Sequence, residues 1–362
     1  MEVSGHRHNG PSRQAGDTDD QRPETPGQRT PEPPGHHRSE LASEDPQGSG
    51  GEGGRPQAAG GQGGQLPSSS GPDGLVAPVV VKRTPLFAAQ HAGRYARQSL
   101  ITQYNQLTGA NLIVMIDAIF AHNMTLLEEL LFDADPEMPL HLLLASPGGD
   151  GEAAIRMVRS MQQRCTELTV IVPDMAKSAA TLLCLGADHI VMGPNGDLGP
   201  VDPQFQFHGG LAGAKELVAA IDEAEARVRV APDTFPLFAN LLAEVNMIMV
   251  QQARSALARS QALVDEALRC RTGDQTDEQV RALAEQLEGP LIGESKSHSA
   301  VISAGYAQSL GLPVETPDLS SDQWRLVWNL WTRYYTLGCW PAGQTAVYEG
   351  ARASHIQSPQ GM

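Results

Sequence analysis

The sequence predicts an α/β fold, and three observations support this prediction. From residue 111 onward, short apolar runs alternate with segments of helical spacing, the pattern of a buried sheet flanked by helices. Residues 1–77 contain 16 Gly, 10 Pro and no Phe, Trp or Tyr, so they cannot bury enough apolar surface to join that core. All four tryptophans lie in the last 45 residues, which sets the C-terminal end apart from the rest.

These differences divide the chain into three parts. Residues 1–77 are expected to form a flexible, disordered leader rich in Gly and Pro. Residues 78–317 are expected to form the α/β domain, with a helical insertion at about 215–290. Residues 318–362 are an aromatic-rich C-terminal extension with a predicted helix, whose aromatic face should pack on the body or on another subunit. That face would consist of Trp324, Trp328 and Trp331.

The individual elements follow from the periodicity of the apolar residues. Apolar runs predict strands at 79–81, 111–116, 141–145, 168–172, 189–192 and, as the last strand, 312–314. Apolar residues at helical spacing predict helices at 92–107, 124–131, 152–163, 178–185, 215–230, 235–268, 277–287 and 301–310. A loop with three Pro and three Gly is predicted at 193–204.

The charge balance argues against nucleic-acid binding. The chain has 26 Lys plus Arg against 42 Asp plus Glu, a formal net charge of −16. Residues 1–77 hold 6 basic and 11 acidic residues, a net charge of −5. Residues 78–362 hold 20 basic and 31 acidic residues, a net charge of −11. An acidic body lacks the positive surface that non-specific nucleic-acid binding requires.

The apolar runs and the cysteines favour a cytoplasmic protein without a transmembrane segment. The longest apolar stretches, such as 111–120, are far shorter than the roughly 20 residues that span a bilayer, and the polar N-terminus does not resemble a signal peptide. The cysteines show no C-x-x-C pairing, so neither a disulfide framework nor a metal site is expected. No cofactor is expected either. The cysteines are Cys165, Cys184, Cys270 and Cys339.

A turn after the predicted strand 141–145 is able to bind an anion. The run Ser146-Pro147-Gly148-Gly149 exposes backbone N–H groups that no side chain covers. The anion could be phosphate or the oxyanion of acyl transfer, and the alternative is an ordinary tight turn between strand and helix. Because no lysine occupies the Walker position, the turn is not a P-loop.

The next strand-turn-helix unit brings Ser178 to the start of a helix of small residues. A serine at this place can be an N-cap. It can also be a nucleophile, with the N–H of Ala179 joining those of Gly148 and Gly149 in an oxyanion hole. The order of the motifs supports the nucleophile. Two consecutive strand-turn-helix units, the first with the glycine pair and the second with Ser178, are expected on neighbouring strands.

Four segments together resemble the serine dehydrogenase proteinase family. They are 146–149 (Ser-Pro-Gly-Gly), 176–181 (Ala-Lys-Ser-Ala-Ala-Thr), 186–192 (Gly-Ala-Asp-His-Ile-Val-Met) and 198–204 (Leu-Gly-Pro-Val-Asp-Pro-Gln). The resemblance runs from about residue 97 to residue 314 and leaves the aromatic C-terminus outside. It implies a Clp protease and crotonase-like fold of repeated ββα units, distantly similar to signal peptide peptidase A. It also implies a protease, not a dehydrogenase, that acts on peptide or protein substrates.

The resemblance further implies a catalytic triad. The family's nucleophile corresponds to Ser178, and its later histidine, before an Ala-x-x-Leu-Gly-Leu-x-Val ending, corresponds to His298 as general base. The residues around this histidine depart from the family's usual Thr-His-Asp-Tyr-Pro. For the carboxylate we favour Asp202, because its loop follows the predicted strand 189–192 and should return toward the serine. A turn residue before proline is an equal alternative there, and other candidate carboxylates are Asp188 and Asp197.

The relatives similar to signal peptide peptidase use a Ser-Lys dyad, and the lysine count limits this alternative. Only four of the 26 basic residues are lysines. Lys177 is adjacent to the serine, Lys82 precedes the fold, and Lys296 lies near the candidate histidine. Only Lys215 has the spacing of a dyad base, for which it would have to be desolvated. The alternative is a solvated position at the start of a helix.

The sequence therefore supports three hypotheses, in this order. The first is a cytoplasmic serine peptidase that cleaves peptide bonds through an acyl-enzyme. The second is a catalytically inactive scaffold of the same fold, whose groove binds a peptide or a partner protein. The third is a crotonase-like acyl-CoA enzyme, which would use the same oxyanion hole but lacks an evident pair of catalytic glutamates. Since relatives in the superfamily form rings or trimers, the resemblance implies a homo-oligomer.

Overall fold

The computed structural model describes residues 83–132, 134–207, 210–273, 275–293 and 297–358, so the leader and the strand predicted at 79–81 lie outside the described residues. The helices are α1 (Pro85–Gln90), α2 (Ala92–Thr108), α3 (Met124–Leu131), α4 (Gly151–Gln162), α5 (Ala179–Leu185), α6 (Ala214–Val230), α7 (Phe235–Leu241), α8 (Met247–Leu268), α9 (Asp277–Glu288), α10 (Ala304–Ser309) and α11 (Asp322–Thr336). The strands are β1 (Asn111–Ile116), β2 (Leu140–Ala145), β3 (Leu168–Val172), β4 (Met175–Ala176), β5 (His189–Met192), β6 (Asp197–Leu198), β7 (Gln204–Phe207), β8 (Gly210–Gly213), β9 (Ile302–Ser303), β10 (Val314–Glu315), β11 (Ala346–Glu349) and β12 (Ser354–Gln357).

The main sheet has seven strands in the order β10-β5-β3-β2-β1-β11-β12. The five strands from β10 to β1 are parallel, and β11 and β12 add to the β1 edge in antiparallel pairing. Central strands such as β1 read as continuous apolar runs because helices cover both faces of the sheet. The strands predicted at 111–116, 168–172 and 189–192 have the predicted bounds. The chain therefore has a mixed α/β fold dominated by a parallel sheet.

Two helical layers enclose this sheet. One face packs against α3, α4, α5, α8 and α9 in the larger apolar core. The other face packs against α2 and α11, which contact each other, in a smaller core that includes Tyr104, Trp331 and Tyr334. Among the helices of the described residues, none combines the length and the apolar character needed to cross a bilayer.

The structure corrects four predicted elements. The helical stretch 235–268 is interrupted between α7 and α8, where the Asn246 side chain accepts the N–H of Met249 and caps a new helix. The helix predicted at 301–310 begins as strand β9, because Ile302 pairs with Leu198. For the same reason the loop predicted at 193–204 contains β6. The strand predicted at 312–314 overlaps β10 only at Val314, and it is not the last strand, since β11 and β12 follow.

The aromatic face of α11 is only partly as the spacing predicts. Trp324 and Trp331 are buried, with 6% and 4% of their surface exposed. Trp328 stays 42% exposed and stacks on Trp324, with ring centroids 6.5 Å apart. The helix therefore covers the sheet with two of its three tryptophans and leaves the third at the rim.

Candidate active site

A second sheet, of three short strands, brings the candidate residues together. Its order is β4-β6-β9, with β4 parallel to β6 and β6 antiparallel to β9. Strand β4 leads into the turn of Ser178, β6 leads into the loop of Asp202, and β9 follows the segment of His298. Since each of the three strands is only two residues long, apolar periodicity could not reveal this sheet.

Ser178 has an unusual backbone conformation. Its φ of 52° and ψ of −118° make it the only non-glycine residue with positive φ among the described residues. Such a conformation costs on the order of 1–3 kcal/mol, and residues that keep it cluster at functional sites. The side chain makes no capping hydrogen bond to α5, so the N-cap interpretation of Ser178 is not supported. A nucleophile on a sharp strand-to-helix turn has this arrangement.

The glycine turn lies directly against Ser178. A Cβ on Gly148 would lie 2.7 Å from the Cβ of Ser178, and a Cβ on Gly149 would lie 2.1 Å from the carbonyl oxygen of Ile119. Both glycines also have positive φ, of 101° and 144°. Only glycine fits this close approach of two turns.

Two backbone amides beside Ser178 are available to a ligand. The N–H of Gly148, which was also expected in the oxyanion hole, is not available, because it donates to Ser146 Oγ at 3.1 Å. In the described part of the chain, by contrast, no oxygen accepts a hydrogen bond from the N–H of Gly149 or of Ala179. These two amides have the positions and the free donors that an oxyanion hole needs.

His298 and Asp202 form a hydrogen-bonded pair. The Nδ1 atom of His298 lies 3.0 Å from Asp202 Oδ1, and the Asp202 side chain is almost fully buried. A buried carboxylate at this place fixes the orientation of the imidazole and leaves Nε2 as the free nitrogen. Both residues line the same cavity of about 470 Å³ as Ser178, Gly149 and Ala179. Within the described residues, no hydrogen bond joins the Ser178 hydroxyl to this histidine.

The other candidate carboxylates have different partners. Asp188 accepts hydrogen bonds from the N–H groups of Leu168 and Thr272 and so connects β3 to the segment between α8 and α9. Asp197 is paired with Lys177, its Oδ2 atom 2.6 Å from Nζ. Neither lines the cavity that contains Ser178.

Lys215 is largely buried, so the alternative of a solvated position at the start of a helix is not supported. Its side chain is only 12% exposed, and Nζ lies 3.6 Å from Asp202 Oδ2 and 3.8 Å from Glu216 Oε1. The lysine therefore approaches Asp202 from the oxygen opposite to His298 and is not among the residues that line the cavity with Ser178.

Two residues of the serine motif, Thr181 and Lys177, connect segments of the site, although no role was predicted for them from the sequence. Thr181 Oγ1 lies 2.9 Å from the carbonyl oxygen of Ala176 and 2.8 Å from that of Gly199, and it accepts the N–H of Gly199. It thereby joins the serine motif to the loop that carries the candidate carboxylate. Lys177 makes a second connection through its ion pair with Asp197. The only signal for either residue was its place in the motif 176–181.

The wall of the cavity combines polar and apolar side chains from several elements. Leu182 of α5 and Leu263 of α8 both face Gly151, where an added Cβ would lie within 3.2 Å of each side chain. At the rim, Arg259 binds both carboxylate oxygens of Glu152, at 2.6 and 2.7 Å. Among the described residues, no group of three His, Cys, Asp or Glu side chains is placed to hold a metal ion.

Comparison with known proteins yields two kinds of match. Two uncharacterized proteins of Methanocaldococcus jannaschii, MJ0137 and MJ1495, are 29% identical over 183 residues and 27% identical over 180 residues. These alignments cover 51% and 50% of this chain and 56% and 53% of the relatives, so the chain spans about half the length of the curated relatives it matches. A solved structure of a mutant of the 1510-N membrane-bound stomatin-specific protease is 22% identical, with a TM-score of 0.26 over 30% of this chain and 57% of its own.

A protein-family model described as ClpP-like SDH-type serine proteinase matches residues 127–331. The match ends inside α11, so it extends beyond the resemblance noted in the sequence and includes most of the aromatic helix. It covers 205 of the 362 residues, more than half of the chain. The chain therefore belongs to the ClpP-like SDH-type serine proteinase family.

Proposed function

We propose that this chain is a serine peptidase that cleaves peptide bonds through an acyl-enzyme. Ser178 is the nucleophile, His298 the general base and Asp202 the carboxylate that orients it. One observation carries the proposal: a serine at positive φ, two unpaired amides and an imidazole held by a buried carboxylate all line one cavity. Peptide or protein substrates agree with the family to which the chain belongs.

The reaction follows from these positions. Nε2 of His298 accepts the hydroxyl proton as Ser178 Oγ forms a bond to the peptide carbonyl carbon. The amides of Gly149 and Ala179 donate to the resulting oxyanion. The C–N bond then breaks while the imidazolium gives its proton to the leaving amine, and water attacks the ester by the same route in reverse. The hydrogen bond between serine and histidine would form when substrate binds, because catalytic contacts are often loose in the free enzyme.

The Ser-Lys dyad has less support. Lys215 contacts the outer oxygen of Asp202, and the carboxylate lies between this lysine and the imidazole. A dyad base must reach the serine as a neutral amine. Lys215 is not among the residues that line the cavity with Ser178.

Labelling with a fluorophosphonate probe tests the proposal. We expect the folded wild type to be labelled, Ser178→Ala to remain unlabelled, and His298→Ala to be labelled at least about 100-fold more slowly. Lys215→Ala should slow labelling much less than His298→Ala. Ser299→Ala removes an exposed hydroxyl next to the histidine and is the matched control, with an unchanged rate.

The same experiment separates the alternatives. Loss of labelling in Lys215→Ala together with retention in His298→Ala would establish the dyad. A wild type that is folded by circular dichroism but never labelled would favour the inactive scaffold. The proposal includes a cytoplasmic homo-oligomer without a cofactor, as the sequence predicts, and light scattering of the purified protein measures its assembly.

A further inference from the structure

Lys177 contacts every segment that carries a proposed catalytic group. Its backbone N–H donates to the carbonyl of Ser146 at 3.0 Å, at the start of the glycine turn. Its ammonium lies 2.6 Å from Asp197 Oδ2 and also donates to the carbonyls of Leu198, at 3.2 Å, and Ala300, at 3.4 Å. The side chain is only 14% exposed.

Each of these contacts leads to a different part of the site. Ser146 opens the turn of the oxyanion amides, and Lys177 itself precedes the nucleophile. Asp197 and Leu198 form β6, which leads into the loop of the orienting carboxylate. Ala300 follows the proposed base by two residues. One ammonium therefore joins the acid loop to the base segment, while its own backbone joins the serine turn to the glycine turn.

We infer that Lys177 is a positioning residue for the proposed peptidase, an inference that rests on the proposed function. Its hydrogen bonds are charge-assisted, and two of the three acceptors are backbone carbonyls. The ammonium adds to the two-residue ladder of β9 and to the His298–Asp202 hydrogen bond in holding the base segment against β6 and the acid loop. A displacement of about 1 Å at reacting groups can slow a reaction about 100-fold.

Lys177→Met tests this role, because methionine keeps most of the aliphatic stem and removes the charge. We expect fluorophosphonate labelling and kcat on a peptide substrate to fall about 10- to 100-fold, with KM changed less than about threefold. Lys177→Arg, which retains a charged donor, should recover part of the rate. The control is Arg164→Met, which removes a more exposed ion pair with Glu128, at 2.7 Å, away from the cavity.

A second variant separates positioning from stability. Lys177→Met leaves the carboxylate of Asp197 unpaired, so the double variant Lys177→Met/Asp197→Asn removes that penalty. We expect the double variant to regain thermal stability but not the labelling rate. Recovery of both would overturn the inference, because Lys177 would then serve only to neutralise Asp197.

Hydrogen exchange gives a readout that does not depend on activity. The backbone amides of 297–303 should exchange faster in Lys177→Met and in the double variant than in the wild type, whereas the main sheet should be unchanged. Wild-type exchange together with wild-type labelling in both variants would overturn the inference. A wild type that is never labelled would instead refute the proposed function, and exchange would still report whether Lys177 holds the segment.

Discussion

The two sheets of this protein differ in how they are held together. In the main sheet, strands of four to six residues such as β1, β2 and β11 are buried between two helical layers, and apolar packing stabilises them. In the small sheet, each strand has two residues. There, side-chain contacts from Thr181 and Lys177 supplement the short ladders. The first sheet supplies stability, and the second determines the geometry of the candidate site.

This difference predicts that substitutions in the two sheets have separable effects. Defects in the main sheet should lower the free energy of unfolding and leave the labelling rate of the folded protein unchanged. Defects in the small sheet should slow the reaction at a modest cost in stability. Three experiments test this separation.

The largest effect is expected in the main sheet at Glu349 of β11. Its buried carboxylate lies 2.6 Å from Arg97 Nε and accepts from the Tyr334 hydroxyl at 2.8 Å. Glu349→Ala leaves Arg97 buried without its charge partner and should lower the free energy of unfolding by about 3–5 kcal/mol in urea titrations. The fluorophosphonate rate, measured where the variant is folded, should match the wild type.

The matched control for this ion pair replaces both partners. Arg97→Met/Glu349→Leu removes both charges and should recover most of the lost stability, since apolar replacement of a whole buried pair is often neutral. If Glu349→Ala lowers the free energy of unfolding by less than about 1 kcal/mol, the ion pair does not contribute strongly to the stability of the main sheet.

The next effect concerns pH and His141 of β2. Burial and the nearby charge of His189 lower the pKa of His141 to about 4, from 6.5, and its Nδ1 atom lies 2.7 Å from the Tyr104 hydroxyl. The folded state therefore favours the neutral ring. The contribution of the neutral His141 ring to the free energy of unfolding is fully present above pH 6.5. It is lost as the pH falls from 6.5 to about 4, by up to about 3 kcal/mol.

Chemical unfolding at pH 7 and at pH 4 measures this effect. His141→Asn cannot titrate, so its free energy of unfolding should fall less between the two pH values than that of the wild type. An equal fall in the free energy of unfolding of the two proteins between pH 7 and pH 4 would show that His141 keeps an ordinary pKa in the folded state.

The smallest loss of stability is expected in the small sheet at Thr181. Thr181→Val keeps the shape but removes the hydroxyl that accepts the N–H of Gly199 and donates its single proton to the carbonyl of Ala176 or Gly199, at a cost of about 1–3 kcal/mol. The labelling rate should nevertheless fall about 10-fold or more, because the serine turn and the acid loop lose their connection. Thr169→Val, at a buried position of β3, is the control. Loss of stability without loss of rate would remove the distinction between the sheets.

The main sheet could be predicted from the sequence because each of its central strands is a long apolar run. Strands β1, β3 and β5 have the predicted bounds. The two-residue strands β6 and β9 could not be predicted, because a ladder so short leaves no periodicity. Strands β11 and β12 were missed because the Trp-rich composition before them indicated a separate extension.

The candidate site could also be predicted only in part. Motif resemblance selects Ser178 and His298, and the place of its loop after the predicted strand 189–192 selects Asp202. His298 and Asp202 are hydrogen bonded in the structure. Their catalytic roles stay predictions until labelling is measured. Composition could not assign Lys215, because only the fold decides whether a lysine lies in solvent or beside the Asp202 carboxylate.

The order of the segments along the chain has a consequence for synthesis. His298 follows Asp202 by 96 positions, and the helices α6 to α9 occupy the interval. At translation rates of 5–20 residues per second, the base emerges roughly 5–20 s after the nucleophile and the acid loop. Strand β9 can pair only after that delay, so under the proposed mechanism an incomplete chain carries its serine without a base. A nascent protease of this design would not cleave itself or the neighbouring chains on the ribosome.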